Sequence, residues 1–353
     1  MRYAVVIAGG AGTRLWPAAR QHNPKQLQRL IFEQPLISET VQRLAIAYPV
    51  DRILVVTAQQ YVEAVREVLP QLPSHNVIAE PVGRNTAAAI ALAAFHIVVD
   101  DPEATFAVFP ADHVILKPEP LYRALELGHE LALQHQVVDI GVPPSHPETG
   151  YGYIELGDKL MDHEGLAAFT VRRFVEKPDL ETAQVYVNSG RYMWNSGMFI
   201  WRASLYLGAL EEHLPQTFEA LQRALRSPGD EPALEEAYGT IPDISVDYAV
   251  MEKVSDVVAL PVDFGWHDIG DWSALYDMME HDSNGNALEG KCVTLDVDGC
   301  LLLSPKKLIA ALGIQNLIVI DTEDVLLVLP RGRSQEVKKL LEQLKESGGD
   351  GYL

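Results

Sequence analysis

Residues 3–17, Tyr-Ala-Val-Val-Ile-Ala-Gly-Gly-Ala-Gly-Thr-Arg-Leu-Trp-Pro, decide the fold class of this chain. The apolar run Tyr3–Ala8 reads as a strand buried on both faces, and it breaks into glycines at 9, 10 and 12. Glycines directly after a buried strand let the backbone approach a ligand closely and turn successive N–H groups toward phosphate oxygens. Arg14, and Lys25 in Asn-Pro-Lys-Gln (23–26), add two cations to the same loop. No Gly-Lys-Ser/Thr follows, so this is not a Walker loop. Gly9-Gly10-x-Gly12 without an immediate helix is not the dinucleotide fingerprint either. A lone glycine cluster is most simply a turn, but Arg14, Trp16, Pro17, Pro24 and Lys25 together argue for a phosphate site.

Outward from this strand, short apolar runs alternate with amphipathic stretches. Arg52–Thr57, Asn76–Ala79 and Thr105–Phe109 read as strands; Leu36–Ala47, Gln59–Leu69, Thr86–Val99 and Leu121–Gln134 read as helices. That alternation predicts a parallel sheet covered on both faces, with ligands at the carboxyl ends of its strands. The middle is richer in strands: Val137–Val142, Tyr151–Leu156, Phe169–Val175 and Met193–Trp201. An acid-rich helical stretch follows from Ser204 to about Tyr238. Turn chemistry at His281–Asn286 marks a boundary, giving domains 1–285 and 286–353. The second is small and β-rich (Val293–Leu295, Leu301–Leu303, Leu317–Ile320, Val325–Leu329), closes with a helix over Ser334–Glu346, and looks non-catalytic.

Composition narrows the function. With 353 residues and 48% hydrophobic side chains the chain can bury a sizeable core. A net charge of −21 repels phosphate backbones and argues against nucleic acid, though not against a small anion in a locally positive pocket. Cys292 and Cys300 cannot staple a secreted scaffold and read as small buried hydrophobes. No apolar run is long enough for a signal segment or a membrane span, so the expectation is a cytoplasmic protein.

Other segments carry chemistry. Glu80-Pro-Val-Gly-Arg-Asn-Thr-Ala (80–87) offers Asn85 or Thr86 as a helix N-cap, and Glu80 as a carboxylate able to accept two adjacent N–H donors together. Phe109-Pro-Ala-Asp-His (109–113) puts Asp112 just past a strand, and Gly265-Trp-His-Asp-Ile-Gly-Asp-Trp (265–272) offers Asp268 and Asp271. Mg²⁺ on a nucleotide takes only one or two carboxylates, while His113 and His267 lack the company of a zinc site. Glu176-Lys177, before Pro178, is either an exposed ion pair or a pair projected from a strand end.

Gly-Gly-x-Gly-Thr-Arg-Leu-Trp-Pro with Pro-Lys-Gln resembles the signature of the sugar-nucleotide pyrophosphorylases, in the wording of the mannose-1-phosphate guanylyltransferase branch. Eight separated segments over roughly residues 1–275 follow the family order. The resemblance implies a Rossmann-like, GT-A-like mixed sheet flanked by helices, with a C-terminal appendage resembling a left-handed β-helix. It implies GMP transfer from GTP to mannose 1-phosphate, forming GDP-mannose and pyrophosphate with Mg²⁺ as cofactor. Arg14 and Lys25 are then the catalytic cations. Gly9, Gly10, Gly12, Thr13, Glu80, Asn85, Thr86 and Asp112 meet the nucleotide, Glu80 accepting the N1–H and 2-amino donors of guanine, and Asp112 and Asp268 hold the metal. Gly150, Glu176, Lys177 and Asn195, from Thr149-Gly-Tyr-Gly, Val-Glu-Lys-Pro (175–178) and Asn-Ser-Gly (195–197), meet the sugar phosphate. Ser245-Val-Asp-Tyr-Ala-Val-Met-Glu-Lys (245–253) resembles the branch pattern too; an N-capped amphipathic helix accounts for it at least as well as a direct contact, and it is assigned no catalytic role. Asp271 is expected to cap the helix after it.

The family often dimerises. Many bacterial members carry a further phosphomannose isomerase domain, for which this length leaves no room, and Ala19 stands where the branch usually has serine before the arginine. Three readings compete with the guanylyltransferase: a pyrophosphorylase for another sugar or base, an inactive GDP-mannose-binding regulator, and a glycosyltransferase. The last would need an Asp-x-Asp metal motif. Asp296-Val-Asp298 has that spelling but lies in the strand-rich appendage and reads as a turn.

Overall fold

The computed structural model describes residues 1–135, 137–226 and 231–353. In chain order its strands are β1 (Arg2–Ala8), β2 (Ile53–Ala58), β3 (Val77–Glu80), β4 (Thr105–Pro110), β5 (His113–Ile115), β6 (Val137–Val142), β7 (Tyr153–His163), β8 (Leu166–Val175), β9 (Tyr192–Arg202), β10 (Val257–Pro261), β11 (Trp266–Asp268), β12 (Ala287–Leu295), β13 (Leu301–Leu312), β14 (Leu317–Asp321) and β15 (Leu326–Pro330). The chain divides into two compact units.

The first unit, 1–9, 37–111 and 115–266, is built on a nine-stranded sheet in the order β3-β2-β1-β4-β9-β6-β10-β8-β7. β1 pairs parallel with β2 and β4, Val5 facing Leu54 and Val108, as the alternation of strands and helices predicts. β9 runs antiparallel to both β4 and β6, so the sheet is mixed. β10, a run of five residues, is a strand that the sequence reading leaves out.

The helix Asn85–Asp100 buries every residue from Ala87 to Ala94, because it packs on β1 and β2 and also against the helix Ala203–His213. Its alanines permit the close approach, while Ile90 and Leu92 each contribute about 1.5–3 kcal/mol by leaving water. The acid-rich stretch forms helices Ala203–His213, Pro215–Ala224 and Glu231–Thr240; its residues 227–230 lie outside the described ones. Among the described residues no helix is long and apolar enough to cross a membrane.

The second unit comprises 10–36, 112–114 and 267–353. The boundary expected at residue 285 lies inside this unit, between the helix Trp272–Met278 and β12. Segment 10–36 belongs spatially with the C-terminal part because Leu15, Trp16, Ala19 and Leu30 are buried in one cluster with Trp272, Leu301, Ile318 and Leu341. β12, β13 and β14 pair in parallel, and β15 closes the four-stranded sheet antiparallel to β14. Cys300 is buried and Cys292 only partly so; both are free thiols. Asp296-Val-Asp298 is a bend with Asp296 at φ 54° and Val297 buried, the expected turn.

Candidate functional site

In the second unit, the glycine-rich loop has Gly10 at φ 83° and Gly12 at φ 63°, conformations that side chains rarely adopt. A Cβ on Gly12 would lie 2.4 Å from the Lys25 Cβ, so glycine is needed for the loop to close on Lys25. The loop then makes a single 3-10 turn, Thr13–Leu15, with the Leu15 N–H donating to the Gly12 carbonyl at 2.9 Å. Leu15 and Trp16 anchor it in the core of the unit.

The Lys25 side chain is 5% exposed; its ammonium lies 2.7 Å from Asp112 Oδ2 and 3.3 Å from Asp268 Oδ1. Burial alone would lower the lysine pKa, but the two carboxylates outweigh it and the net direction is up. Burial likewise pushes the Asp268 carboxyl up, and Lys25, His113 and Arg14 together bring it below the ordinary range. Gly270 separates Asp268 from Arg14: a Cβ there would lie 3.6 Å from Arg14 Nη1 and 3.8 Å from Asp268 Oδ2. Asp271 caps the helix Trp272–Met278 through the Ser273 and Ala274 N–H groups, as expected. Arg14, Lys25, Asp112 and Asp268, drawn from three distant segments, thus form one charged group. Two carboxylates converging on one cation also suit Mg²⁺, which draws its remaining ligands from phosphate and water.

The first unit carries a second group. At the end of β8, Lys177 adopts φ 46°, a strained conformation for a side-chain-bearing residue, and its ammonium pairs closely with Glu176. Asn195, on β9, is fixed at three points. Its N–H donates to the Gly152 carbonyl at 2.8 Å, its Oδ1 accepts the Gly197 N–H at 2.9 Å, and its Nδ2 donates to Asp247 Oδ1 at 2.9 Å. A Cβ on Gly152 would meet Glu176 Oε2 at 2.5 Å. Gly152, two positions after Gly150, is therefore the glycine against Glu176 and Asn195. Gly150 donates its N–H to Glu148 Oε1 at 2.7 Å.

Asp247 was missed by the sequence reading. Its segment does not form the expected N-capped helix; it makes one π-helical turn, Asp247–Met251, with no side-chain cap. Burying Ala249, Val250 and Met251 fixes that turn and presents Asp247 to Asn195. Burial, reinforced by the Glu176 charge, pushes the Asp247 carboxyl up to about 6. Burial would lower the Lys177 pKa, but Glu176 and Asp247 raise it beyond that effect.

Glu80, at the end of β3, is 3% exposed, and its Oε1 accepts the Tyr238 hydroxyl at 3.1 Å. Burial pushes it up to about 7 in spite of that hydrogen bond. One oxygen is therefore engaged by Tyr238 instead of both standing open. Neither Asn85 nor Thr86 is the helix cap: the cap position is Arg84, without a side-chain bond. Asn85, at φ 65°, accepts the Thr86 N–H and donates to Asp243, while Thr86 Oγ1 accepts the Val246 N–H at 2.9 Å. Gly9 has open space around its α-carbon.

Comparison with known proteins divides the chain near residue 285, and both charged groups fall before that point. Residues 3–285 match the family model described as nucleotidyl transferase, and residues 290–344 match a mannose-phosphate isomerase/GMP-like β-helix domain. A mannose-1-phosphate guanylyltransferase from Klebsiella pneumoniae is 40% identical over 100% of this chain and 76% of its own length. One from Escherichia coli K12 is 39% identical over 98% of this chain and 74% of its own. A crystal structure from Thermus thermophilus, described as a mannose-1-phosphate geranyltransferase, superposes with a TM-score of 0.88 at 35% identity, covering 98% of this chain and 99% of that one.

Proposed function

The chain belongs to the nucleotidyl transferase family, in its mannose-1-phosphate guanylyltransferase branch, and from that premise we propose that it transfers GMP from GTP to mannose 1-phosphate, forming GDP-mannose and pyrophosphate. The observation that carries the reading is the convergence of Lys25, Arg14, Asp112 and Asp268. A protein that only bound the sugar nucleotide would have no use for a paired-carboxylate site.

The sugar phosphate is already an anionic nucleophile, so no general base is needed, and catalysis is positioning and charge neutralisation. Lys177 holds the attacking phosphate, while Glu176 and Asn195 accept and donate to sugar hydroxyls. Arg14, Lys25 and the loop N–H groups of Gly10, Gly12 and Thr13 neutralise the departing pyrophosphate. Asp112 and Asp268 are the residues that would hold Mg²⁺, which when bound supplies neutralising charge at the phosphoryl oxygens. Glu80 meets guanine through the carboxylate oxygen that Tyr238 leaves.

The test is pyrophosphate release with Mg²⁺, pairing GTP, ATP, UTP or dTTP with mannose 1-phosphate or glucose 1-phosphate. Release confined to GTP with mannose 1-phosphate supports the proposal, and release with another pair overturns the specificity. No release from protein that binds GDP-mannose would make the chain a regulator. In the same assay Glu80→Gln should relax base choice by about tenfold, the worth of one charge-assisted hydrogen bond. Guanine recognition by Glu80 needs its ionised form, so the wild-type KM for GTP should fall as pH rises through about 7. The glutamine variant should show a flat profile.

Asp247 belongs to the sugar-phosphate group through Asn195. Asp247→Ala frees the Asn195 amide and should raise KM for mannose 1-phosphate about tenfold while leaving KM for GTP in place. Equal changes in both constants would remove Asp247 from this role.

A further inference from the structure

The glycine-rich loop is held from the far end of the chain. After the helix Val337–Glu346 the backbone reverses at Ser347-Gly348-Gly349, with Gly348 at φ 76°. The Gly348 N–H donates to the Lys345 carbonyl at 3.1 Å and the Gly349 N–H to the Leu344 carbonyl at 2.9 Å, the paired bonds of a glycine-terminated helix. A Cβ on Gly349 would stand 2.4 Å from Leu344 Cδ1, so the reversal is written for glycine.

The reversal lays the turn Asp350–Tyr352 on the loop. Trp16 Nε1 donates to the Tyr352 carbonyl at 2.6 Å, across 336 positions of sequence. Two further contacts come from the same segment. Leu15 and Trp16 are buried in one cluster with Val337 and Leu341, and Arg14 Nη1 donates to Gln335 Oε1 at 3.4 Å. The Trp272 indole, donating to the Trp16 carbonyl at 2.9 Å, fixes the same residue independently.

We propose that the C-terminal segment 331–353 positions the transfer loop: the Tyr352 carbonyl pins Trp16, and Gln335 orients the Arg14 guanidinium toward the departing pyrophosphate. The proposal rests on the reading of Arg14 as a pyrophosphate-binding cation. Its physical basis is the loop's own permissiveness. Gly9, Gly10 and Gly12 leave the backbone free to take many conformations, so the geometry of its N–H groups must be imposed by neighbours. Arg14, a long and flexible side chain, is otherwise ordered only at the expense of its rotamer freedom. The β-rich C-terminal part is then no bystander to the chemistry.

The experiment runs the reaction backward on the full chain. GDP-mannose is cleaved with pyrophosphate and Mg²⁺, the KM of each substrate is measured separately, and thermal unfolding is followed in parallel. Trp16→Phe keeps an aromatic ring and removes the donor. It should raise KM for pyrophosphate about tenfold or more, with a smaller change in KM for GDP-mannose, because displacements of an ångström in a catalytic group cost up to about a hundredfold. Gly349→Val, which touches no proposed substrate group, should reproduce that split by lifting the tail. Gln335→Met should raise KM for pyrophosphate about threefold, and Gln335→Glu, which keeps an acceptor for Arg14, should recover most of that loss. Leu340→Ala, exposed on the same helix, serves as the control that stays at wild-type values.

An active wild type with unchanged pyrophosphate KM in Trp16→Phe and Gln335→Met overturns the proposal. So does a uniform loss of kcat that simply tracks a lowered Tm, since that is the mark of a structural role. A wild type that cleaves no GDP-mannose removes the assigned activity itself, and the positioning role falls with it.

Discussion

Lys25→Ala and Asp268→Ala should each lower turnover by about a hundred- to a thousandfold, the loss typical of removing one group that stabilises transition-state charge. Both variants should remain folded. Lys25 is buried, so its loss strips a cation from two carboxylates and leaves Asp112 and Asp268 repelling each other. Those carboxylates are 32% and 28% exposed, however, so water screens them and the stability loss should be near ~1 kcal/mol, well short of a fully buried pair.

The pH dependence has a definite sign. The folded Asp268 pKa lies below its unfolded value, so its contribution to stability is present above the ordinary carboxylate range and is lost as pH falls through the folded value. Asp268→Ala should therefore flatten the acid limb of the stability curve. Because Lys25 and Asp268 interact directly, the double variant should destabilise by less than the sum of the singles. Steady-state kinetics with urea unfolding of all three variants checks both halves. Near-normal turnover in either single variant would exclude these residues from the transfer site.

Lys177→Met should cut kcat/KM for mannose 1-phosphate by about a hundredfold, the scale of a charge-assisted contact to a phosphate, while leaving the dissociation constant for GTP unchanged. The lysine side chain is 56% exposed, so stability should barely move; its ammonium has Glu176 and the charge of Asp247 as company but no place in the core. The strained φ of 46° persists whichever side chain stands there, so lost packing cannot mimic the effect. Equilibrium binding of GTP beside kinetics in both substrates separates the outcomes. Parallel losses for GTP and sugar phosphate would move Lys177 out of the sugar-phosphate role.

Much of this molecule was legible in the amino-acid order because it rests on local physics. The continuous apolar run of β1 can be buried only on both faces, whatever its neighbours. Asp271 caps because it immediately precedes a helix whose first N–H groups lack partners. The glycines at 10 and 12 occupy backbone conformations that other residues avoid. Asp112 and Asp268 are legible as candidates because each sits in a short segment, 109–113 and 265–272, that resembles a known family's pattern.

Tertiary structure decided the rest, because those features depend on which distant residues share a buried space. Lys25 and Asp268 are 243 positions apart, and nothing near either one in sequence specifies that an ammonium will stand between two carboxylates. Asp247 sits in a stretch whose local pattern is that of a capped helix; burial of Ala249, Val250 and Met251 imposes a π turn instead and brings its carboxylate to Asn195. The same applies to the surroundings of the glycine-rich loop. The need to bury Leu15 and Trp16 joins that loop to the C-terminal part, a long-range demand that local pattern does not encode.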